Sequence, residues 1–143
     1  MPRRRRVPNP VIDSLRINGT KLELAVEELR KSLAVFCREM KYFPLEYAVT
    51  LHEKFFRQVR EADDRLLDME KAFGAYFDQL TLEGVPAILG GLSRRNQAAF
   101  INAISEVIEL MARVLAKILN VCDPLVERSR VMIHQMMAAA RNS

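Results

Sequence analysis

The feature that most constrains this chain is an apolar period that runs unbroken from Pro44 to about Leu80. Leu45, Ala48, His52, Phe55, Val59, Ala62, Leu66, Met69, Phe73 and Tyr76 are separated by alternate steps of three and four. That spacing keeps one side of an α-helix apolar turn after turn, with His52 the one polar member. At 1.5 Å per residue such a helix spans roughly 50 Å. A rod of that length cannot bury its stripe against itself. Other helices, or other subunits, have to lie along it.

The material for such neighbours is present. Half of the 143 residues are hydrophobic and only five are glycine. This favours one all-α domain over a many-stranded sheet. Thr20 followed by Glu23 reads as a capping box, and a first long helix follows at about 21–43, with Leu22, Val26, Leu29, Leu33, Phe36 and Met40 as its seam. Pro44 closes that helix and opens the next, so the two fold back through a very tight corner or continue as one kinked rod. The second helix covers about 45–80. Residues 81–92 break the pattern with three glycines and a proline, and read as a hinge or as a plug into a neighbour. Ser93 caps a third helix at about 93–122. Its apolar set is wide: Phe100, Ile101, Ile104, Val107, Ile108, Met111, Val114, Leu115, Ile118, Leu119 and Val121. It should be the most buried helix. Asp123, Pro124 and Glu127 form another cap signature, and a fourth helix runs at about 124–140 with Leu125, Met132, Ile133, Met136 and Met137 inward. The expected fold is therefore an all-α helical bundle with two long helices, over residues 20–143, preceded by an extended basic N-terminal arm over residues 1–19. The four helices pack within the chain, or the first two reach into a partner.

The first helix carries a second, mixed stripe: Leu24, Glu28, Lys31, Val35, Arg38 and Tyr42. A helix apolar on two sides touches two neighbours, and one of them can lie outside the chain.

Charge is distributed unevenly. The net is +4, but residues 1–60 carry thirteen Lys/Arg against seven Asp/Glu, while residues 61–90 carry two against seven. A partner with negative charge facing one end of the molecule is implied. Arg3, Arg4, Arg5 and Arg6 lie among Pro2, Pro8 and Pro10, which keeps the run extended. Adjacent guanidiniums on an extended backbone suit phosphate oxygens, and each phosphate neutralised releases counterions. The alternatives are an anionic membrane surface, or a solvated or nuclear-import tail. Arg16, Lys21, Lys31, Arg38, Lys41, Lys54, Arg57 and Arg60 extend the basic character into both long helices. Glu27–Lys31 and Glu53–Arg57 can instead be ordinary helix-surface pairs. Helix-turn-helix spacing, zinc-ligand clusters and aromatic ribonucleoprotein motifs do not occur, so any nucleic acid is gripped by backbone and shape. DNA and RNA are not distinguished.

Other motifs point to little chemistry. Asp63, Asp64 and Asp68 resemble one half of the Asp-rich magnesium site of helical prenyl-transfer enzymes, which needs two such clusters. A solvated acidic face is the better reading, and no metal or cofactor is expected. His52 lacks the second histidine of a zinc-protease helix and reads as part-buried and hydrogen-bonded; His134 stands alone. Cys37 and Cys122 read as buried free thiols. Neither a nucleophile–base pair nor a small-molecule site is visible, so an enzyme is not expected. No signal peptide and no membrane-spanning stretch is found, which argues against secretion.

The order of parts — basic proline-containing arm, long helices, apolar C-terminal helical half — resembles the small helical capsid proteins of archaeal filamentous viruses. That resemblance implies double-stranded DNA in an A-like form wrapped by capsid dimers, often of two related proteins, sometimes inside a lipid envelope. It makes Arg3, Arg4, Arg5 and Arg6 DNA contacts and places the chain in a virion. The expected function is a structural nucleic-acid-coating subunit. The competing expectation is a cytoplasmic helical adaptor or regulator whose seams bind partner helices.

Overall fold

A computed structural model describes residues 10–83 and 90–142, and among these every regular element is helical. Helix α1 is Pro10–Glu39, a 3-10 turn follows at Met40–Tyr42, α2 is Leu45–Glu83, α3 is Arg94–Lys117 and α4 is Asp123–Arg141. A π-helical turn, Ile118–Cys122, joins α3 to α4 without a break, so the described residues make three rods. The middle one, α2, has the sequence-predicted place and nearly the predicted length. The first and last differ from expectation, each for a physical reason.

The first rod begins at Pro10, so residues 10–19 belong to α1 and not to an extended arm. Proline suits the first helical position because its missing N–H has no intrahelical partner there. Thr20 caps nothing; its hydroxyl donates back to the Arg16 carbonyl at 2.9 Å, inside the helix. The seam runs back through Gly19, Leu15 and Ile12, all buried. The hinge or plug expected within residues 81–92 falls largely on residues 84–89, which lie outside the described residues; α2 itself continues to Glu83.

The last rod passes straight through Asp123 and Pro124, where a helix start was expected. Proline has no N–H for the Asn120 carbonyl and its ring crowds that carbonyl. Widening the preceding turn relieves both, and the Asp123 N–H donates to Ile118 O, one residue further back than in an α-helix. Ser93 does cap α3, accepting from the Asn96 N–H at 3.3 Å.

The corner at Pro44 folds back. Phe43 N–H bonds Met40 O at 3.0 Å, and Phe36 on α1 meets Phe55 on α2 with ring centroids 5.5 Å apart. The third rod runs parallel to α1. Arg16–Glu106 (3.2 Å), Arg113–Glu23 (3.0 Å) and Lys117–Glu27 (2.7 Å) each join residues 90 positions apart. A constant separation along two helices means parallel axes without slip. These partly exposed pairs contribute little stability, about 0–1 kcal/mol each, but they fix register.

The core is one continuous cluster. Leu33, Met40, Leu66, Val26, Val107, Val114 and Ile118 are fully buried in it. The α2 seam packs as its period requires. The third expected helix is not the most buried: Ile101 and Ile108 on α3 and Leu119 in the π-helical turn are half exposed. A rod in a three-rod bundle has only two neighbours, so its third side meets solvent. On α4 Ile133 is buried and Leu125, Met132 and Met136 are half-buried, but Met137 is exposed. No helix among the described residues is long and apolar enough to cross a membrane.

Candidate functional site

Among the described residues, the basic side chains singled out in the sequence do not gather on one surface. Arg3, Arg4, Arg5 and Arg6 lie outside the described residues. Arg16 is drawn into the α1/α3 groove by Glu106, leaving its buried Nε without a hydrogen-bond partner. Lys21, Lys31 and Arg38 project from the outward side of α1, all exposed. Lys41 sits over the Tyr42 ring at 5.0 Å and Arg60 over the Phe56 ring at 5.4 Å. Lys54 is exposed on α2. Arg57 lines a groove between α2 and α4 with His52, Phe56, Glu127 and Arg130. The described cations therefore form a row on α1 and a scattered set on the first half of α2.

Their pairing differs from the sequence expectation. Glu27 takes Arg30 in a forked contact (2.7–3.2 Å) and Lys117 at 2.7 Å, not Lys31. Glu53 makes no ion pair with Arg57. Lys31 and Arg57 thus have no ion pair among the described residues.

His52 is half-buried and hydrogen-bonded, as its lone place in an apolar row suggests. The partner, Ser129, is not legible by residue type alone. Ser129 Oγ donates to Val126 O at 2.7 Å, which uses its one proton. The 2.7 Å contact to His52 Nδ1 must therefore carry the imidazole's proton, which assigns the Nδ1–H tautomer. Ser129 is 0% exposed, so this pair ties α2 to α4 and presents no accessible nucleophile.

Both thiols are buried. Cys37 Sγ lies 3.4 Å from Leu125 O, and burial pushes the Cys37 thiol up and the Cys122 thiol up to about 11. Both stay protonated and unreactive at neutral pH. Asp63, Asp64 and Asp68 are exposed on α2, and no group of three or more metal-ligating side chains converges among the described residues.

Two shifted groups predict how stability responds to acid. Hydrogen bonds from Arg30 and then Lys117 hold the Glu27 carboxyl at about 2, against an ordinary 4.5. Burial lowers the His52 imidazole below its ordinary 6.5, with Arg130 and His134 adding to the shift and Glu53 and Glu127 opposing it. In both windows the unfolded chain binds more protons than the folded one, so stability rises with pH. The contribution is complete above pH 6.5, weakens as pH falls below that value, and weakens again between 4.5 and about 2. Urea midpoints measured across that range should fall in these two steps. Glu27→Gln should shrink the lower step, leaving the part that comes from Glu127, which its hydrogen bond from Arg130 holds below 4.5, and burial of Asp123 opposes both. A midpoint constant across the range would contradict the Glu27 and His52 assignments.

No family model, curated protein or solved structure matches the chain.

Proposed function

We propose that this chain is a structural subunit that coats nucleic acid through contacts with the phosphate backbone, duplex DNA being the favoured form. The observation that carries the reading is the state of the exposed cations. Lys21, Lys31, Lys54 and Arg57 have no ion pair among the described residues, whereas Arg16, Arg30, Arg113, Lys117 and Arg130 are each paired with a carboxylate of this chain. A free ammonium or guanidinium on a rigid rod gains when it replaces a phosphate's condensed counterion. The Arg3, Arg4, Arg5 and Arg6 run adds four more. A rod-shaped subunit with outward apolar rows suits a filamentous assembly such as a capsid or nucleoprotein. A second reading, a helical adaptor, draws on those same outward rows and needs no nucleic acid.

Binding to random-sequence duplex DNA over a salt series separates the two. The coating reading expects affinity to fall steeply with salt, by about 0.9 log units per log unit of salt for each phosphate contacted, with little sequence preference. Replacing Arg3, Arg4, Arg5 and Arg6 by Ala should reduce that slope by up to about 3–4. Absence of binding at low salt would retire the coating reading and leave the adaptor.

A further inference from the structure

Helix α1 has two faces. One is the core row described above. The other starts half a turn away: Leu24 is two residues from both Leu22 and Val26, about 200° around the helix. This outward row is Ile17, Lys21, Leu24, Glu28, Lys31, Val35, Arg38 and Tyr42, in strict steps of four and three. Every member is exposed, Leu24 at 63%, Ile17 at 54%, Val35 at 42% and Tyr42, in the 3-10 turn, at 74%. Steps of four and three are the period of a coiled-coil seam. None of the described residues covers it.

The order of residues in the row identifies the occupant. Counted outward from the midpoint between Leu29 and Arg30, its members fall into matched pairs: Glu28 with Lys31, Leu24 with Val35, Lys21 with Arg38, Ile17 with Tyr42. The row is a chemical palindrome. A two-fold axis through that midpoint lays it on a second copy of itself, apolar against apolar and, at the centre, acid against base. An isologous interface requires this property. Ala25, Ser32 and Ala34 flank the central pairs and are small enough for two helix axes to approach to about 8–10 Å.

We propose that two copies of this chain pair antiparallel along the outward row of α1. Leu24 packs against the partner's Val35, and Glu28 meets the partner's Lys31, each contact occurring twice. A parallel pair would set Glu28 against the partner's Glu28 and Lys31 against the partner's Lys31, so the charges select the antiparallel arrangement. Lys21 and the partner's Arg38 are the one like-charged contact. They lie toward the ends of the seam, where long side chains let the heads part into water. The second outward row, Ile101 and Ile108 on α3 with Leu119 in the π-helical turn, has no such charge code and is assigned no occupant.

The interface goes beyond the coating reading and stands without nucleic acid, so the test uses the full chain alone. Sedimentation equilibrium at low salt should show a monomer–dimer equilibrium. Glu28→Lys alone and Lys31→Glu alone should each weaken the dimer roughly tenfold or more, because each turns two attractions into two repulsions. The double variant Glu28→Lys/Lys31→Glu should restore it, and the two single variants mixed together should form a heterodimer. Leu24→Glu should abolish pairing while far-UV circular dichroism stays unchanged, since Leu24 is outside the core. A wild-type monomer at all concentrations would overturn the proposal, as would association indifferent to these changes. Should DNA binding fail while the charge swap behaves as stated, the coating reading falls and the interface remains.

Discussion

Phe36→Ala should lower the unfolding free energy by about 3–5 kcal/mol. Phe36 is 2% exposed and lies one turn before the corner that reverses the chain. Its ring stacks on Phe43 at 5.9 Å and tilts against Phe55 at 5.5 Å, and Phe43 in turn meets Tyr47 edge-on at 5.4 Å. Truncation removes the ring that joins α1, the corner and α2. The space cannot close easily. The corner is fixed by the Phe43 N–H to Met40 O bond at 3.0 Å, and α2 starts at once with Ala48 N–H on Pro44 O at 2.9 Å. A domain of this kind has about 5–15 kcal/mol of total stability, so one substitution removes a large share. Val35→Ala, one residue away on the outward row, should change the monomer's stability by no more than about 0.5 kcal/mol. Urea unfolding followed by circular dichroism measures both. A loss below about 1 kcal/mol at Phe36 would mean the corner is not packed as described.

The long apolar period of α2 was fully legible, because steps of three and four over ten members leave no other secondary structure that buries them. The tight corner followed from Pro44. The start of α1 was not legible, because Asn18, Gly19 and Thr20 are turn formers and mask the period. Yet Ile12, Leu15, Gly19 and Leu22 continue the same steps of three and four, and Gly19 counts as a member once close packing rather than side-chain bulk is the criterion. Local propensity lost to tertiary packing there.

The junction of α3 and α4 left a similar trace. Val114, Ile118, Cys122 and Val126 are separated by three successive steps of four, and all are buried. On an α-helix such steps drift around the axis, about 40° each. The wider π turn takes up the drift and brings Val126, Ser129 and Ile133 back to the core. Reading Pro124 as a boundary hid both the continuity and the Ser129 partner of His52. For the basic surface, the sequence supplied the residues but not their pairing. Glu27 could reach Lys31 or Arg30 on its own helix, and only the parallel packing of α3 brings Lys117 to it. Which cations stay free is a property of the packed bundle.

Gly19→Leu should cost about 3 kcal/mol, and Gly19→Ala should also destabilise, although Ala is the better helix former by about 1 kcal/mol. A Cβ at Gly19 would lie 2.5 Å from Leu110 Cδ2, 3.1 Å from Leu110 Cγ and 3.0 Å from Met69 Cε. Met69 can yield by a rotation about its thioether. Leu110 cannot yield as easily, since its branch point is crowded as well as its tip and the side chain is 5% exposed. Relief requires either an off-rotamer Leu110 or α3 moving away from α1, which would stretch the Arg113–Glu23 and Arg16–Glu106 contacts. Steric cost therefore outweighs helix propensity. Gly74 sets the opposite case on α2: nothing lies within 4 Å of its Cβ position, so Gly74→Ala should stabilise by about 0.5–1 kcal/mol. Leu110→Val removes the offending Cδ2. Combined with Gly19→Ala it should cost less than the sum of the two single changes, with a coupling of about 1 kcal/mol or more. Denaturant midpoints for the four variants decide the matter. Equal signs at Gly19 and Gly74, or strict additivity with Leu110, would show that α1 and α3 do not approach as closely at this point as the packing of Gly19 requires.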